Sequence, residues 1–166
     1  MFFAIREERP GDELAIYDLT KRAFASMPFS DGDEQDLINR LRAVEALTLS
    51  LVAQKAERIV GHVAFTPADA DDGAVGWFAL GPVSAEPDLQ GQGIGGALIR
   101  EGLTRLRADG AAGCILIGDP EYYQRFGFLK RPDLCPAGEP AAYFQLLELN
   151  GPAPQGRLHF HPLFAG

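Results

Sequence analysis

Cysteine is scarce in this chain, and where it occurs it forms no pattern. Cys114 and Cys135 are the only two in 166 residues, with neither metal-ligand spacing nor a disulfide framework around them. Cys114 lies in an apolar run and reads as an inert buried thiol. Long hydrophobic stretches are also missing, so nothing reaches the length of a membrane-crossing helix. Met1-Phe2-Phe3-Ala4-Ile5 gives way at once to Arg6-Glu7-Glu8-Arg9, which suits a first strand better than a secretory core. Cytoplasm is the expected compartment, with no membrane partner. Basic residues are few: 15 Lys plus Arg stand against 23 Asp plus Glu, a formal charge of −8. That balance argues against a nucleic-acid backbone as main partner. It leaves room for a local basic patch, and it favours basic or neutral amine substrates through long-range attraction. Repeats, low-complexity segments and linkers are absent too.

What remains is a globular composition. Hydrophobic residues make up 46 % of the chain, and its length suits one domain over 1–166 with a sizeable core. Periodicity predicts a strand at 2–6, then helices at 13–24 and 33–44, the first with Asp12 as its cap. Strands at 47–54 and 59–65 follow, joined by a polar turn, with a loop at 67–73. Next come an apolar strand ending at Val83, a glycine turn, a long helix to Asp109 and a buried strand at 113–118. A short tyrosine-bearing helix and strands at 143–149 and 157–160 close the order. Helices and strands mixed in this way indicate one α/β domain with a mixed central sheet flanked by helices.

Gln90-Gly91-Gln92-Gly93-Ile94-Gly95-Gly96 is the most informative stretch. It joins the apolar strand to a helix, leaving backbone N–H groups unpaired at the positive end of the helix dipole. Glycine lets a phosphate approach that backbone closely, so the turn reads as an anion site for a phosphorylated cofactor. A P-loop needs Lys-Ser or Lys-Thr after its last glycine, and Gly96-Ala97 stands there instead. A dinucleotide fingerprint belongs in a first βαβ unit, whereas this turn lies past mid-chain. The pattern Gln-x-x-Gly-x-Gly resembles the pyrophosphate-binding motif of the GNAT N-acetyltransferase superfamily.

A second motif follows at a fitting distance. Gly118-Asp119-Pro120-Glu121-Tyr122-Tyr123-Gln124-Arg125-Phe126-Gly127-Phe128 has Asp119 as a helix cap, proline at the first helical position and Gly127 to end the turn. Tyr-x-x-x-Gly-Phe after a strand resembles the second signature of the same superfamily. The fuller form is similar to a bacterial subgroup often called YhbS-like. The likeness covers most of the chain and is strongest from Leu80 to Phe128.

The resemblance implies a GNAT-type fold in which two central parallel strands splay, here the one ending at Leu80–Ala85 and the one at 113–118. It implies acetyl-CoA as cofactor, with CoA as product. Backbone groups of Val83, Ser84 and Ala85 would pair with pantetheine and the thioester carbonyl, one N–H serving as an oxyanion hole. Amides of Gln90, Gly91, Gln92, Gly93, Ile94, Gly95 and Gly96 would hold the pyrophosphate. Tyr123 matches the family's tyrosine, the acid that protonates the departing thiolate; a phenol with a pKa near 10 is protonated at neutral pH. Glu34 is the candidate general base, with a helix-start carboxylate as its alternative. Glu86 reads as a turn residue and His62 as a structural histidine. His159 and His161 share a strand face without a third metal ligand, so no metal is expected. The implied reaction is direct attack of a small-molecule or peptide amine on the thioester by a monomer or homodimer. A non-catalytic acyl-CoA-binding sensor module and an acetyltransferase of charged tRNA stand as alternatives, the latter disfavoured by the acidic charge.

Overall fold

A computed structural model describes residues 2–165; Met1 and Gly166, the outermost residues of the expected domain, lie outside the described residues. In chain order the elements are β1 (Ala4–Glu7), α1 (Glu13–Phe24), α2 (Glu34–Ala43), β2 (Leu49–Lys55), β3 (Arg58–Ala70) and β4 (Trp77–Ala85). After these come α3 (Ile94–Ala108), β5 (Gly113–Ile117), α4 (Pro120–Tyr123), β6 (Leu129–Lys130), β7 (Phe144–Glu148) and β8 (Leu158–His159). The strands make one mixed sheet in the order β1-β2-β3-β4-β5-β7-β6, with β8 on β3. The expected parallel pair is β4 with β5, through Trp77↔Gly113, Phe78↔Cys114 and Ala79↔Ile115. No helix among the described residues is long and apolar enough to cross a membrane.

The chain packs as two compact units. One comprises the residues up to Phe65 with Gly81–Gly102; the other comprises Thr66–Leu80 with the residues from Leu103 on. In the first, α1 buries Ile16, Leu19, Thr20 and Ala23, the i, i+3, i+4, i+7 stripe of an amphipathic helix. Ile16, Ile38 of α2 and Val52 of β2 form a small core, so α1 and α2 cover that face of the sheet. Helix α3 covers the opposite face. A Cβ on Gly61 would come 2.5 Å from Ile94 Cγ2 and 2.9 Å from Leu98 Cδ1; only a glycine lets the helix settle so close to the strand. In the second unit, Trp77, Ala79, Ile115, Phe144, Leu146 and Leu158 share one core. There Gly113 leaves room for the Trp77 ring.

The predicted elements are present, with informative differences at their edges. Residues 67–70, expected in a loop because of Pro67 and the acids around it, belong to β3. They are held by pairing of Asp69 with His159 and Ala70 with Leu158, so cross-strand partners from the far end of the chain override local propensity. Strand β6 was not predicted; two residues carry no periodicity, and only the ladder Leu129↔Leu146, Lys130↔Gln145 defines it. Asp12 precedes α1 but makes no side-chain cap. Its carboxylate instead accepts from Arg6 Nη1 at 2.8 Å and from the Arg9 amide at 2.7 Å.

Gly102 tests the packing of α3. A Cβ there would fall against Cε2 and Cζ of the Phe65 ring. Alanine is worth about 1 kcal/mol over glycine inside a helix, yet an added methyl in a tight core costs roughly 1–3 kcal/mol. Gly102→Ala should therefore lower the midpoint of thermal unfolding. A higher midpoint would show that the Phe65 ring yields freely.

Candidate functional site

The glycine turn belongs to the first unit. After β4, the chain makes a single 3-10 turn at Pro87–Leu89. Gly91 and Gly93 then both take φ +84°, a left-handed backbone that side chains other than glycine resist. Nothing lies within 4 Å of a Cβ placed on either, so the space above the turn is open. The first helical bond of α3 runs from the Ala97 amide to the Gly93 carbonyl at 3.0 Å. The amides of Ile94, Gly95 and Gly96 precede it and have no backbone acceptor among the described residues. Ile94 is buried against Gly61, pinning the first turn of the helix to the sheet, while Gln92 faces solvent. Gln90 Nε2 donates to the Ala85 carbonyl at 3.4 Å, linking the turn to the end of β4. Open amides at the dipole's positive end, on a left-handed glycine turn, make an anion cradle.

Ser84, between Val83 and Ala85 on β4, is 3 % exposed and its hydroxyl has no partner. Glu86 opens the Pro87–Leu89 turn, as expected, its carbonyl accepting from the Leu89 amide at 2.8 Å; it is also 5 % exposed and heavily paired. Arg22 of α1 grips it with Nε to Oε1 at 2.9 Å and Nη2 to Oε2 at 2.8 Å. Arg58 adds a contact at 3.3 Å. The hydrogen bond from Arg22 outweighs burial and holds the Glu86 carboxyl below the usual carboxylate range. Glu34 opens α2, and its two carboxylate oxygens accept from Ser30 Oγ at 2.7 and 2.8 Å. Ser30 Oγ in turn accepts from the Gly32 amide at 2.9 Å, so this carboxylate closes a loop of local bonds at the start of the helix.

Tyr123 belongs to the second unit. Asp119 caps α4 by accepting from the Glu121 amide at 2.9 Å, and Gly127 ends the following turn at φ +98°. The Tyr123 ring lies on Gly118, where a Cβ would sit 2.6 Å from Cε2, and meets Phe128 edge-on at 6.1 Å. Its hydroxyl has no hydrogen-bond partner among the described residues. Burial first, and then the neighbouring Tyr122, push the phenol up to about 12. Cys114 is fully buried and its thiol is pushed well up by desolvation, which leaves it inert. His159 is taken by Asp71 at 2.7 Å, and His161 Nδ1 accepts from the Leu163 amide.

The profile of the Acetyltransferase (GNAT) family matches residues 14–128, which span both the glycine turn and the tyrosine helix. The chain belongs to the GNAT family. It is 38 % identical over 125 residues to the uncharacterized N-acetyltransferase YhbS of Escherichia coli K12, covering 75 % of this chain and 72 % of that protein. Among solved structures, it is similar to a GNAT acetyltransferase from Brucella melitensis in complex with acetyl-CoA. That match has 45 % identity and a TM-score of 0.87 and covers 98 % of both chains. Escherichia coli YhbS in complex with CoA matches with the same TM-score at 33 % identity, over 99 % of this chain and 92 % of the other.

This GNAT chain also holds a partly buried polar network that local sequence could not reveal. Arg42 of α2 donates to Glu8 through Nε at 2.7 Å and Nη2 at 2.9 Å. Ser50 Oγ donates to Glu8 at 2.6 Å and meets His62 Nε2 at 2.8 Å. His62 is fully buried, and desolvation lowers it to about 4. A folded value below the ordinary 6.5 means that the unfolded chain binds the proton first. This contribution to stability is complete above pH 6.5 and is lost as pH falls toward 4. The span corresponds to about 3 kcal/mol. Urea unfolding at a series of pH values should show that slope, and His62→Gln should flatten it. An equal slope in the variant would assign acid sensitivity to the carboxylates instead.

Proposed function

We propose that this protein is an acetyl-CoA-dependent N-acetyltransferase, acting from the cytoplasm on a small-molecule or peptide amine, with 1–166 as one functional domain. The observation that carries this reading is the glycine turn with open amides at the start of α3. It occurs in a GNAT chain whose 45 %-identical relative was crystallised with acetyl-CoA. In this reading the amides of residues 91–96 take the pyrophosphate, and Gln90 braces the turn. The N–H groups of Val83–Ala85 hold pantetheine and polarise the thioester carbonyl, so charge developing on that oxygen meets a preorganised donor. The amine attacks the carbonyl carbon directly, the C–S bond breaks, and the thiolate takes the Tyr123 proton. A phenol raised to about 12 stays protonated across the physiological range, so Tyr123 is a donor ready at every turnover. No cysteine is placed for a covalent relay, since Cys114 and Cys135 are both buried. The apolar lip of Met27, Pro28 and the exposed Phe29 beside Asp31, Asp33, Glu34 and Asp36 suits an amine on an apolar body. Glu34 would then draw the ammonium in.

Calorimetric titration with acetyl-CoA and CoA tests the cofactor. The expected result is micromolar binding that Gly93→Val abolishes; the φ at Gly93 costs a side chain about 1–2 kcal/mol, and the rest of the loss comes from the filled cradle. Binding by neither ligand would end this reading and turn attention to other phosphate ligands. Tyr123→Phe should lower kcat about a hundredfold and leave CoA affinity unchanged. An unaltered kcat would remove Tyr123 from the chemistry.

A further inference from the structure

Two buried polar atoms in the first unit have no partner, and they belong to the neighbouring strands β3 and β4. The Glu86 amide donates to the Val60 carbonyl at 2.8 Å where β4 ends beside β3. Two residues along each antiparallel strand, Ser84 therefore stands opposite His62, and directly opposed residues present their side chains on one face. His62 is also paired with Val52 on β2, which fixes that face as the one beneath α1 and α2. Ser84 Oγ and His62 Nδ1 are the unpartnered atoms.

The protonation pattern follows from the network behind them. Ser50 spends its hydroxyl hydrogen on the Glu8 carboxylate, so Ser50 Oγ accepts and His62 Nε2 must carry the hydrogen. Nδ1 is then a bare lone pair, and the Ser84 hydroxyl on the adjoining strand has nothing to donate to. Buried polar groups left in this state are uncommon and call for an explanation. At the far end, Glu8, Ser50 and Arg42 line a solvent-open cavity of about 420 Å³, together with Glu7, Glu45, Leu47 and Thr48.

We propose that Ser84, His62, Ser50 and Glu8 form a proton relay that carries the acceptor amine's proton from β4 to that cavity. The proposal rests on the acetyl-transfer reading, which puts the reacting thioester at Val83–Ala85. The ammonium gives its proton to Ser84 Oγ as the Ser84 hydrogen passes to a bridging water and a hydrogen of that water passes to His62 Nδ1, since no direct hydrogen bond joins the two atoms. His62 Nε2–H passes to Ser50 Oγ, and the Ser50 hydrogen passes to Glu8. Glu8 releases it to the cavity. Each O–H or N–H bond broken is matched by one formed, and the imidazole changes tautomer without becoming charged. A low-affinity imidazole suits such a shuttle, because it does not trap the proton. Among the charged groups of this face, Glu8 and Arg42 sit at the exit, and Glu86, paired with Arg22 and Arg58, lies two residues beyond Ser84.

Nitrogen-15 NMR of the histidine rings tests the geometry without an acceptor. His62 at pH 7 should be the neutral Nε2–H tautomer. Its Nδ1 resonance should shift in Ser84→Ala, at unchanged thermal stability. A protonated Nδ1, or an Nδ1 that ignores the Ser84→Ala change, overturns the relay. Kinetics then use the first amine of a panel that the wild-type protein acetylates. Ser84→Ala and His62→Gln should each lower kcat at pH 7 at least tenfold with KM for acetyl-CoA unchanged. Both should recover toward wild-type rates above the pKa of the amine, where no proton needs removal; a purely structural defect would not recover. Turnover equal to wild type in His62→Gln, which keeps the bond to Ser50 but cannot shuttle, also overturns it. Failure of the wild-type protein to bind CoA would sink the acetyl-transfer reading while leaving the NMR result intact, so the two failures are distinguishable.

Discussion

A single buried carboxylate organises the region around the glycine turn. Glu86 follows the last residue of β4, and burying its charge is costly unless opposite charges and hydrogen bonds compensate. Arg22 and Arg58 supply both. In doing so they tie α1 and the β2–β3 hairpin to the point where the chain leaves the sheet for the turn. The backbone of the same residue donates to Val60 and accepts from Leu89. The exit path of β4 is therefore set by one residue with four different partners, and the geometry of the amides that follow depends on it. Both arginines are about half exposed, so the value of the clamp is orientation more than net stability.

The two faces of the first unit divide the labour. On one, Gly61 and Gly102 strip the sheet and the helix of side chains so that α3 settles close against β3. This fixes the start of α3 and with it the direction of the open amides. On the other, beneath α1 and α2, apolar residues share space with His62, Ser84, Ser50, Glu8 and Glu86. Polar groups in such a place are tolerated only when hydrogen-bonded, and most of these are. The two atoms left over, His62 Nδ1 and Ser84 Oγ, belong to the neighbouring strands β3 and β4.

In the second unit the tyrosine helix is held by local chemistry that a sequence displays openly. Asp119 caps, Pro120 starts and Gly127 stops it. What local chemistry does not display is the consequence: the Tyr123 ring lies on Gly118 among Phe126 and Phe128, and burial there raises the phenol. A phenol with so high a pKa is a product of packing rather than of residue identity.

Parts of this protein that depend on neighbours a few residues away could be read from the order of its residues. The glycine turn, the Asp-Pro start of α4, the apolar stripe of α1 and the buried run at Cys114 are all short-range patterns, and they were legible with the GNAT resemblance they carry. Tertiary structure decided what depends on partners far along the chain. Pairing with β8 turned 67–70 from loop into strand, and β7 made a strand of two residues at Leu129 and Lys130. Arg6 drew Asp12 away from its cap. Arg22 reached across 64 positions to make Glu86 a buried anchor, and Ser50 across 12 to meet the buried ring of His62. The physical reason is the same throughout: hydrogen bonds and burial are set by distance in space, and only within a turn or a helix does distance along the chain stand in for it.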